Sequence, residues 1–349
     1  MRLKVYLTLC VLAALAVASC AQAPSPSPLR VSETRKHMGV AWTITVYAPS
    51  RPHAAAALAA AHAEVARLEG IFSDYDAASE LSRLSAAAPT PAPVPVGDDL
   101  WRVLSRAVAI RDATGGAFDP AVGPLTTLWR RARRTEVMPA ADTVAAARAA
   151  VGPDALTLHP DRQAVALTRP GMRLDLGGIG MGDAVDRGLE ILRRHGIEAA
   201  MIDASGDVAV IGRPPGREGW RIALAPLGRL DPSADDLVLT DAAVTTSGDA
   251  RQAVEIDGVR YGHVVDPRTG LGVAGPAAVT VIARDCTTAD ALATAALVLG
   301  PEAGTRLIDA TPGAAARFVH ADATGAILAS HTSRWPAQPA QPARQGVGP

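Results

Sequence analysis

The chain is 349 residues long, with 48% hydrophobic and 20% charged residues and a formal net charge of −1. That balance allows a substantial apolar core, in one large domain or two modest ones. It excludes a general nucleic-acid binder and a protein that acts through a strong net field.

Residues 1–19 read as a lipoprotein-type signal peptide, with a basic start from Met1 to Lys4 and an apolar run from Val5 to Ala18. Roughly 14 apolar residues fall short of the roughly 20 that span a bilayer, and suit the apolar region of a signal peptide. The run ends in "VASC", residues 17–20, where small residues before Cys20 resemble a bacterial lipobox that makes Cys20 the lipid-modified first residue. Cleavage after "AQA", residues 21–23, is the alternative and gives an unanchored exported protein. Residues 20–34 begin Pro/Ser-rich and read as an extended tether. The expected location is the periplasmic side of a bacterial cell envelope, lipid-anchored at the inner membrane. Cys10 leaves with the signal and Cys20 carries the lipid, so Cys286 stands alone and no disulfide framework exists. With no motif around it, Cys286 reads as a small buried side chain rather than a nucleophile.

Residues 35–332 read as one α+β domain of mixed and antiparallel sheet with flanking helices, followed by a disordered Pro/Gln-rich tail over 333–349. Trp42, Ile44 and Val46 alternate onto one face and predict a strand over 41–48. Leu58, His62, Val65 and Leu68 are spaced for a helix over 54–69. Leu100, Leu104, Ala107 and Val108 are spaced for a second over 98–113, capped by Asp98. The Pro-rich "AAAPTPAPVPV" between them reads as a loop, and "RRARR", residues 130–134, as a solvated basic turn or helix end. From 155 onward strands dominate: "ALTLH", "AVALT", "AAMID", "DVAVI", "WRIALA", "LVLT" and "VTVIA". A helix at 182–195 that buries Val185, Leu189 and Leu192 interrupts them, and another at about 287–299 follows.

Three stretches carry residues suited to chemistry. "RLDLGGIGMGDAVDRG", residues 173–188, sets Gly177, Gly178, Gly180 and Gly182 between an apolar run and a helix. The spacing fails the dinucleotide fingerprint, and no Walker Lys-Ser/Thr follows. Asp175 suits a hydrogen bond to a neutral polar ligand edge, and a helix start at Gly182-Asp183 favours an anion. A tight structural turn accounts for the same residues. In "TTADALATAALVLG", residues 287–300, Asp290 and Thr294 share one helix face, a pair of oxygens suited to a hard cation such as Mg2+. Capping by Thr287 or Thr288, with Thr294 bonded back to its own helix, explains the pair without a metal, and taken alone the spacing favours that reading. "TTSGDARQAVEIDGVRYGHVVDPRTG", residues 245–270, gathers His263, Asp266 and Arg268 beside Pro and Gly turns. A His next to a carboxylate there suits either acid–base chemistry or a structural role.

Together these stretches resemble the ApbE family, the FAD:protein FMN transferases of bacterial envelopes. Five ordered blocks carry the resemblance over most of residues 37–300. They are "HMGVAWTITVYA", "IFSDYDAASELSRLS", "GGAFDPAVGPLTTLW", "LDLGGIGMGDAVD" with "IDASGDVAVIG", and "TTSGD" through "YGHVVDPRTG" to "ADALATAALVLG". The resemblance implies Mg2+-dependent transfer of the FMN moiety of FAD to a Ser/Thr hydroxyl of an acceptor flavoprotein, with release of AMP. The acceptor it implies is a subunit of a membrane redox complex. By the same motifs Met38, Tyr75, Ala117, Phe118, Asp119, Asp175, Met181 and Val264 would contact FAD. The Gly178 carbonyl, Asp290 and Thr294 would hold the metal, and His263 or Asp266 would take the proton of the acceptor hydroxyl. The chain departs from the pattern in two places. Met181 stands where family members commonly carry Lys or sometimes Glu, and "ASGD", residues 204–207, replaces the more usual Asn-Gly-Gly-Asp. The same site with water in place of the acceptor would be an FAD pyrophosphatase yielding FMN and AMP; without turnover it would be a flavin-binding lipoprotein.

Overall fold

The computed structural model describes residues 27–224, 236–248, 253–322 and 324–336. The signal peptide, Cys20 and the tail beyond 336 lie outside the described residues. The chain opens with strands β1 (Leu29–His37) and β2 (Val40–Ala48), then helices α1 (Arg51–Phe72) and α2 (Glu80–Ala86). Strand β3 (Val94–Pro95) leads to α3 (Asp98–Ala113), α4 (Gly123–Thr135) and α5 (Ala141–Ala149), and β4 (Leu156–His159) and β5 (Ala164–Leu167) pair in one sheet with β3. After α6 (Gly180–Arg194) come β6 (Ala199–Ala204), β7 (Asp207–Ile211), β8 (Trp220–Ala223), β9 (Asp236–Leu239) and β10 (Ala242–Gly248). β11 (Ala253–Ile256), β12 (Val259–Val265) and β13 (Gly272–Ala274) form a separate sheet. β14 (Ala277–Ala283), α7 (Cys286–Ala310), β15 (Ala315–Ala321) and β16 (Ile327–His331) follow.

The main sheet has eight strands in the order β1-β2-β6-β7-β10-β14-β15-β16, all paired antiparallel. Alternation along its strands splits the core between two faces. Ala209 and Ile211 of β7, Ala243 of β10 and Val281 and Ala283 of β14 face the large core under α1, α6 and α7. Val208, Val210, Val244 and Ile282 face a smaller cluster covered by the β8–β9 hairpin through Trp220, Ile222, Leu237 and Leu239. Leu125, Trp129 and Ala132 of α4 join Val144 of α5 in a third cluster against Val254, Ile256 and Val265 of the small sheet. Cys286 is fully buried, and burial pushes its thiol up, out of reach as a nucleophile.

Several boundaries differ from the sequence expectations. β1 pairs with β2 along its whole length, so residues 29–34 belong to the sheet and not to the tether expected over 20–34. It is a mostly exposed edge strand, and its polar residues hide the alternation that marks a half-buried strand. Val94-Pro95 of the expected Pro-rich loop pair with β5. Gly97, not Asp98, stands at the cap of α3; the Asp98 carboxylate instead accepts the Gln163 amide at 2.8 Å. The ordered chain also extends past 333. Trp335 is buried in the cluster under the β8–β9 hairpin, and Arg334 donates to the carbonyls of Ile308, Asp309, Thr311 and Ala314.

The site depends on where α6 and α7 cross. Asp285, rather than Thr287 or Thr288, caps α7 by accepting from the Thr288 N–H at 2.8 Å. Asp186 of α6 accepts from the Cys286 and Thr287 N–H groups at 2.8 and 2.9 Å, so one helix satisfies the orphan donors of the other. The contact is close because Gly182 lacks a side chain: a Cβ there would lie 2.5 Å from the Cys286 carbonyl oxygen and 3.0 Å from the Asp290 Cβ. Helix α7 then runs to Gly300, whose φ of 76° breaks the helix before Pro301. Gly182→Ala should therefore drive the helices apart and lower stability by about 1–3 kcal/mol, read as a reduced midpoint in urea with an unchanged slope.

Candidate active site

Four segments converge on one cavity of about 360 Å³. The first is the β1–β2 hairpin. Its two-residue turn places Met38 and Gly39 at φ 48° and 80°, the left-handed pair that a tight hairpin requires. Met38 thus sits at the hairpin tip and lines the cavity. The second is the loop after α1, which presents Tyr75 at 79% exposure. The third runs from Ala117 to Asp119, where the Phe118 N–H donates to Thr114 Oγ1 at 3.2 Å and the Asp119 carboxylate accepts the Ala121 N–H at 2.8 Å. Burial raises the pKa of Asp119. The fourth is the glycine stretch from Asp175 to Met181, packed against α7.

His263 and Val264 reach the cavity through an irregularity in β12. The pairing of β12 with β13 shifts register between Tyr261 and Val265, and the two residues lie within the shift. Such bulges re-aim side chains. Asp266 is not brought to the cavity wall. Its carboxylate accepts from the Arg268 backbone N–H at 2.8 Å and from the Arg268 guanidinium at 2.9 Å, closing the turn that follows β12. Of the two residues expected to handle the proton, only His263 lines the cleft. The other expected residues, Met38, Tyr75, Ala117, Phe118, Asp119, Asp175, Gly178, Met181, Val264, Asp290 and Thr294, all do.

The basic cluster is a helix end, as one of its two readings has it, with Arg131 and Arg134 exposed, but Arg130 departs from the solvated pattern. It lies on α4, half-buried, and its guanidinium pairs with Asp74 and, at 2.9 Å, with Asp175. The guanidinium carbon also sits 4.5 Å from the centre of the Tyr75 ring, a cation–π contact that orders the exposed aromatic. Asp175 also accepts from Thr126 Oγ1 at 2.7 Å and from the Gly177 N–H at 2.8 Å. The spacing of the cluster carried a signal, because Thr126, Arg130 and Arg133 fall on one helical face, and all three line the cavity.

Two further carboxylates meet on the opposite wall without such a partner. Asp290 is 6% exposed, and its Oδ2 accepts the Gly182 N–H at 3.1 Å. Burial and the nearby Asp207 push its carboxyl well above the usual range. Asp207, at the start of β7, is pushed up to about 7 by burial and by Asp203. Sequence reasoning passed over Asp207, although it follows a Ser-Gly turn at a strand start in the altered "ASGD" block. Among the described residues no basic side chain forms an ion pair with Asp290 or Asp207. Thr294 Oγ1 lies 3.2 Å from Ser247 Oγ, and a Cβ on Gly178 would come within 3.0 Å of that Thr294 oxygen. The glycine therefore allows the 178 backbone to meet the hydroxyl of α7. Among the described residues no group of three or more His, Cys, Asp or Glu is arranged for a metal. This wall carries the unpaired carboxylates of Asp290 and Asp207 and the Thr294 hydroxyl, beside the Gly178 backbone, oxygen donors of the kind that fit a hard cation completing its shell with water and phosphate oxygen.

Removing Arg130 should leave Asp74 and Asp175 facing each other. Asp74, already raised by burial and by the Asp175 charge, would rise further. A carboxyl raised in the folded state binds protons that the unfolded chain has lost, so Arg130→Ala should cost about 1–3 kcal/mol at pH 8. The cost should shrink toward pH 5 as Asp74 takes up its proton. Urea melts of both proteins across that range would show the gap narrowing on acidification.

Residues 38–318 match the model of the ApbE family. The chain is 34% identical over 243 residues to the FAD:protein FMN transferase of Vibrio cholerae serotype O1, covering 68% of this chain and 72% of that protein. It is 33% identical over 267 residues to the FAD:protein FMN transferase of Treponema pallidum, covering 70% and 71%. The fold matches the crystal structure of Pseudomonas stutzeri flavinyl transferase ApbE in its apo form with a TM-score of 0.77 and 29% identity, over 88% of this chain and 96% of that one. It matches the flavin transferase ApbE of Vibrio cholerae with a TM-score of 0.78 and 28% identity, over 88% and 98%. The residues matched by the family model span the hairpin tip, the glycine stretch, the β12 irregularity and the α6–α7 crossing, and the chain belongs to the ApbE family.

Proposed function

We propose that the protein transfers the FMN moiety of FAD to a Ser or Thr hydroxyl of an acceptor flavoprotein, a subunit of a membrane redox complex, and releases AMP. The observation that carries this reading is the single cleft that joins an aromatic, nucleotide-sized cavity to an uncompensated Asp290 beside Thr294 and to His263. A second cavity of about 500 Å³ shares Met38, Val40, Asp74, Tyr75, Gly177 and Met181 with the first and extends the cleft past the hairpin tip. The names of the relatives agree with the reading.

Each residue then has a definable task. Tyr75, held by Arg130, and Met38 provide faces for the flavin, while Phe118 and the Ala117 and Asp119 segment hold the nucleotide. Asp290, Thr294 and the Gly178 carbonyl would hold Mg2+. The cation, when bound, offsets charge developing on the pyrophosphate and orients the leaving AMP. The remaining catalysis is positioning and electrostatics, as in other phosphoryl transfers. His263 accepts the proton of the acceptor hydroxyl as its oxygen bonds to the FMN phosphorus and the bond to AMP breaks. Asp266 supports that step indirectly, by closing the turn that follows β12. Met181 offers the nucleotide an apolar contact. Export and lipid attachment at Cys20 would place the enzyme on the periplasmic side of the envelope, beside membrane redox acceptors.

Incubation with FAD, Mg2+ and a candidate envelope flavoprotein should give a covalently fluorescent acceptor band on a denaturing gel, abolished by EDTA and by Asp290→Asn. His263→Ala should slow labelling by about 10²–10⁴-fold if it is the general base; an unchanged rate would remove that assignment. Absence of label on every acceptor, with AMP released from FAD alone, would replace the transferase reading with hydrolysis.

A further inference from the structure

A third cavity, of about 660 Å³, adjoins the FAD cleft and shares with it Val40, Met181, Asp207, Thr246 and His263. Tyr75, Phe118, Asp290 and Thr294 line the first cavity and are absent from this one, so the groove reaches His263 by a second path that shares only Met181 with the nucleotide contacts assigned above. Its floor is made of small residues near the backbone, among them Ala204, Gly206 and Ala223. The two-residue turn at Ser205 and Gly206, with φ of 58° and 116°, joins β6 directly to β7 and keeps that rim low.

The groove lies where two strands part. β10 pairs with β14 from Ala243 to Gly248, but with β7 only from Ala242 to Val244. Residues 245–248 of β10 therefore have a strand partner on one side alone among the described residues. In an antiparallel strand, alternate residues direct their N–H and C=O groups to opposite edges, so part of this segment presents main-chain donors and acceptors away from β14. Val244, Thr246 and Gly248, alternate residues of β10, all line the groove. An unpaired edge next to a groove is the setting in which an extended peptide adds as a strand.

Resting on the transferase reading above, we propose that this groove docks the acceptor polypeptide. A hydroxyl-bearing extended segment with small flanking side chains pairs with the edge of β10 at 245–248 that no described strand occupies and delivers its Ser or Thr to His263. The two substrates then meet by separate paths at the His263–Asp207 wall. The acceptor oxygen forms the new bond to the FMN phosphorus, its proton passes to His263, and AMP departs on the nucleotide side with the electron pair of the broken P–O bond. No redox change is involved.

Ala223→Trp and Arg221→Gln test the groove, since both residues are exposed on β8 and neither lines the nucleotide cavities, and Gln sets no like charge against Asp236, the exposed ion-pair partner of Arg221. Each variant should keep the wild-type melting temperature, FAD dissociation constant and acceptor-free AMP release, while raising KM for the acceptor at least tenfold. An acceptor peptide with Ala in place of its Ser or Thr should inhibit labelling competitively with the acceptor and leave FAD binding unchanged. Wild-type acceptor KM in both variants would overturn the proposal. So would a parallel loss of FAD affinity, which would make the groove part of the nucleotide site. If the wild type labels no acceptor, the transferase reading fails instead.

Discussion

The site depends on one close approach, the contact of Gly182 in α6 with the Cys286 carbonyl and the Asp290 side chain in α7. With any larger residue at 182 the helices would stand further apart. The Gly182 N–H would then lose Asp290, and Asp186 would lose the first N–H groups of α7. The same crossing carries Thr294 to the glycine stretch, where Gly178 leaves no side chain between its backbone and the hydroxyl. The glycines thus serve backbone approach between two helices and a loop. A phosphate-cradling loop of the common dinucleotide kind is not formed.

Charge is distributed unequally around the cleft. On one wall Arg130 bridges the Asp74 and Asp175 carboxylates and stacks on Tyr75, giving a fixed platform. On the other, burial and the Asp207 charge raise the Asp290 carboxyl, and burial and Asp203 raise Asp207, with no basic partner for either among the described residues. A buried carboxylate without a counter-charge is costly, and proteins resolve that cost by protonation or by a cation. The compensated wall suits a permanent binding surface. The uncompensated wall suits a ligand that brings positive charge with it, which is the physical basis for proposing Mg2+ there.

The regular elements were largely legible because their periodicities are strong. Trp42, Ile44 and Val46 mark β2, and Val185, Leu189 and Leu192 mark α6, all buried as their spacing requires. Where burial is one-sided or absent the pattern fails, as in β1, an edge strand of polar residues. Trp335 sits in a Pro/Gln-rich stretch, and only tertiary contact with the β8–β9 cluster reveals its place. Within the site, local motifs located the residues but not their engagements. The spacing places Asp175 at the cavity but gives no sign that Arg130, 45 residues earlier in the chain, pairs with it there. Asp266 and His263 share a motif, yet the turn that holds Asp266 to Arg268 and the β12 irregularity that aims His263 send them to different places. Ion pairs between distant segments have no signature in spacing, and neither does the direction in which a bulge turns a side chain.

The central claim is that the Gly178–Asp290–Thr294 wall is completed by a divalent cation. It is tested most directly by crystals grown with FAD and Mn2+ in place of Mg2+, examined by anomalous scattering. The expected result is a single strong peak on the wall formed by Asp290, Thr294 and Gly178, the residues that would hold the cation. FAD bound in the cleft with no anomalous peak on that wall, or with the metal held by other residues, would contradict it.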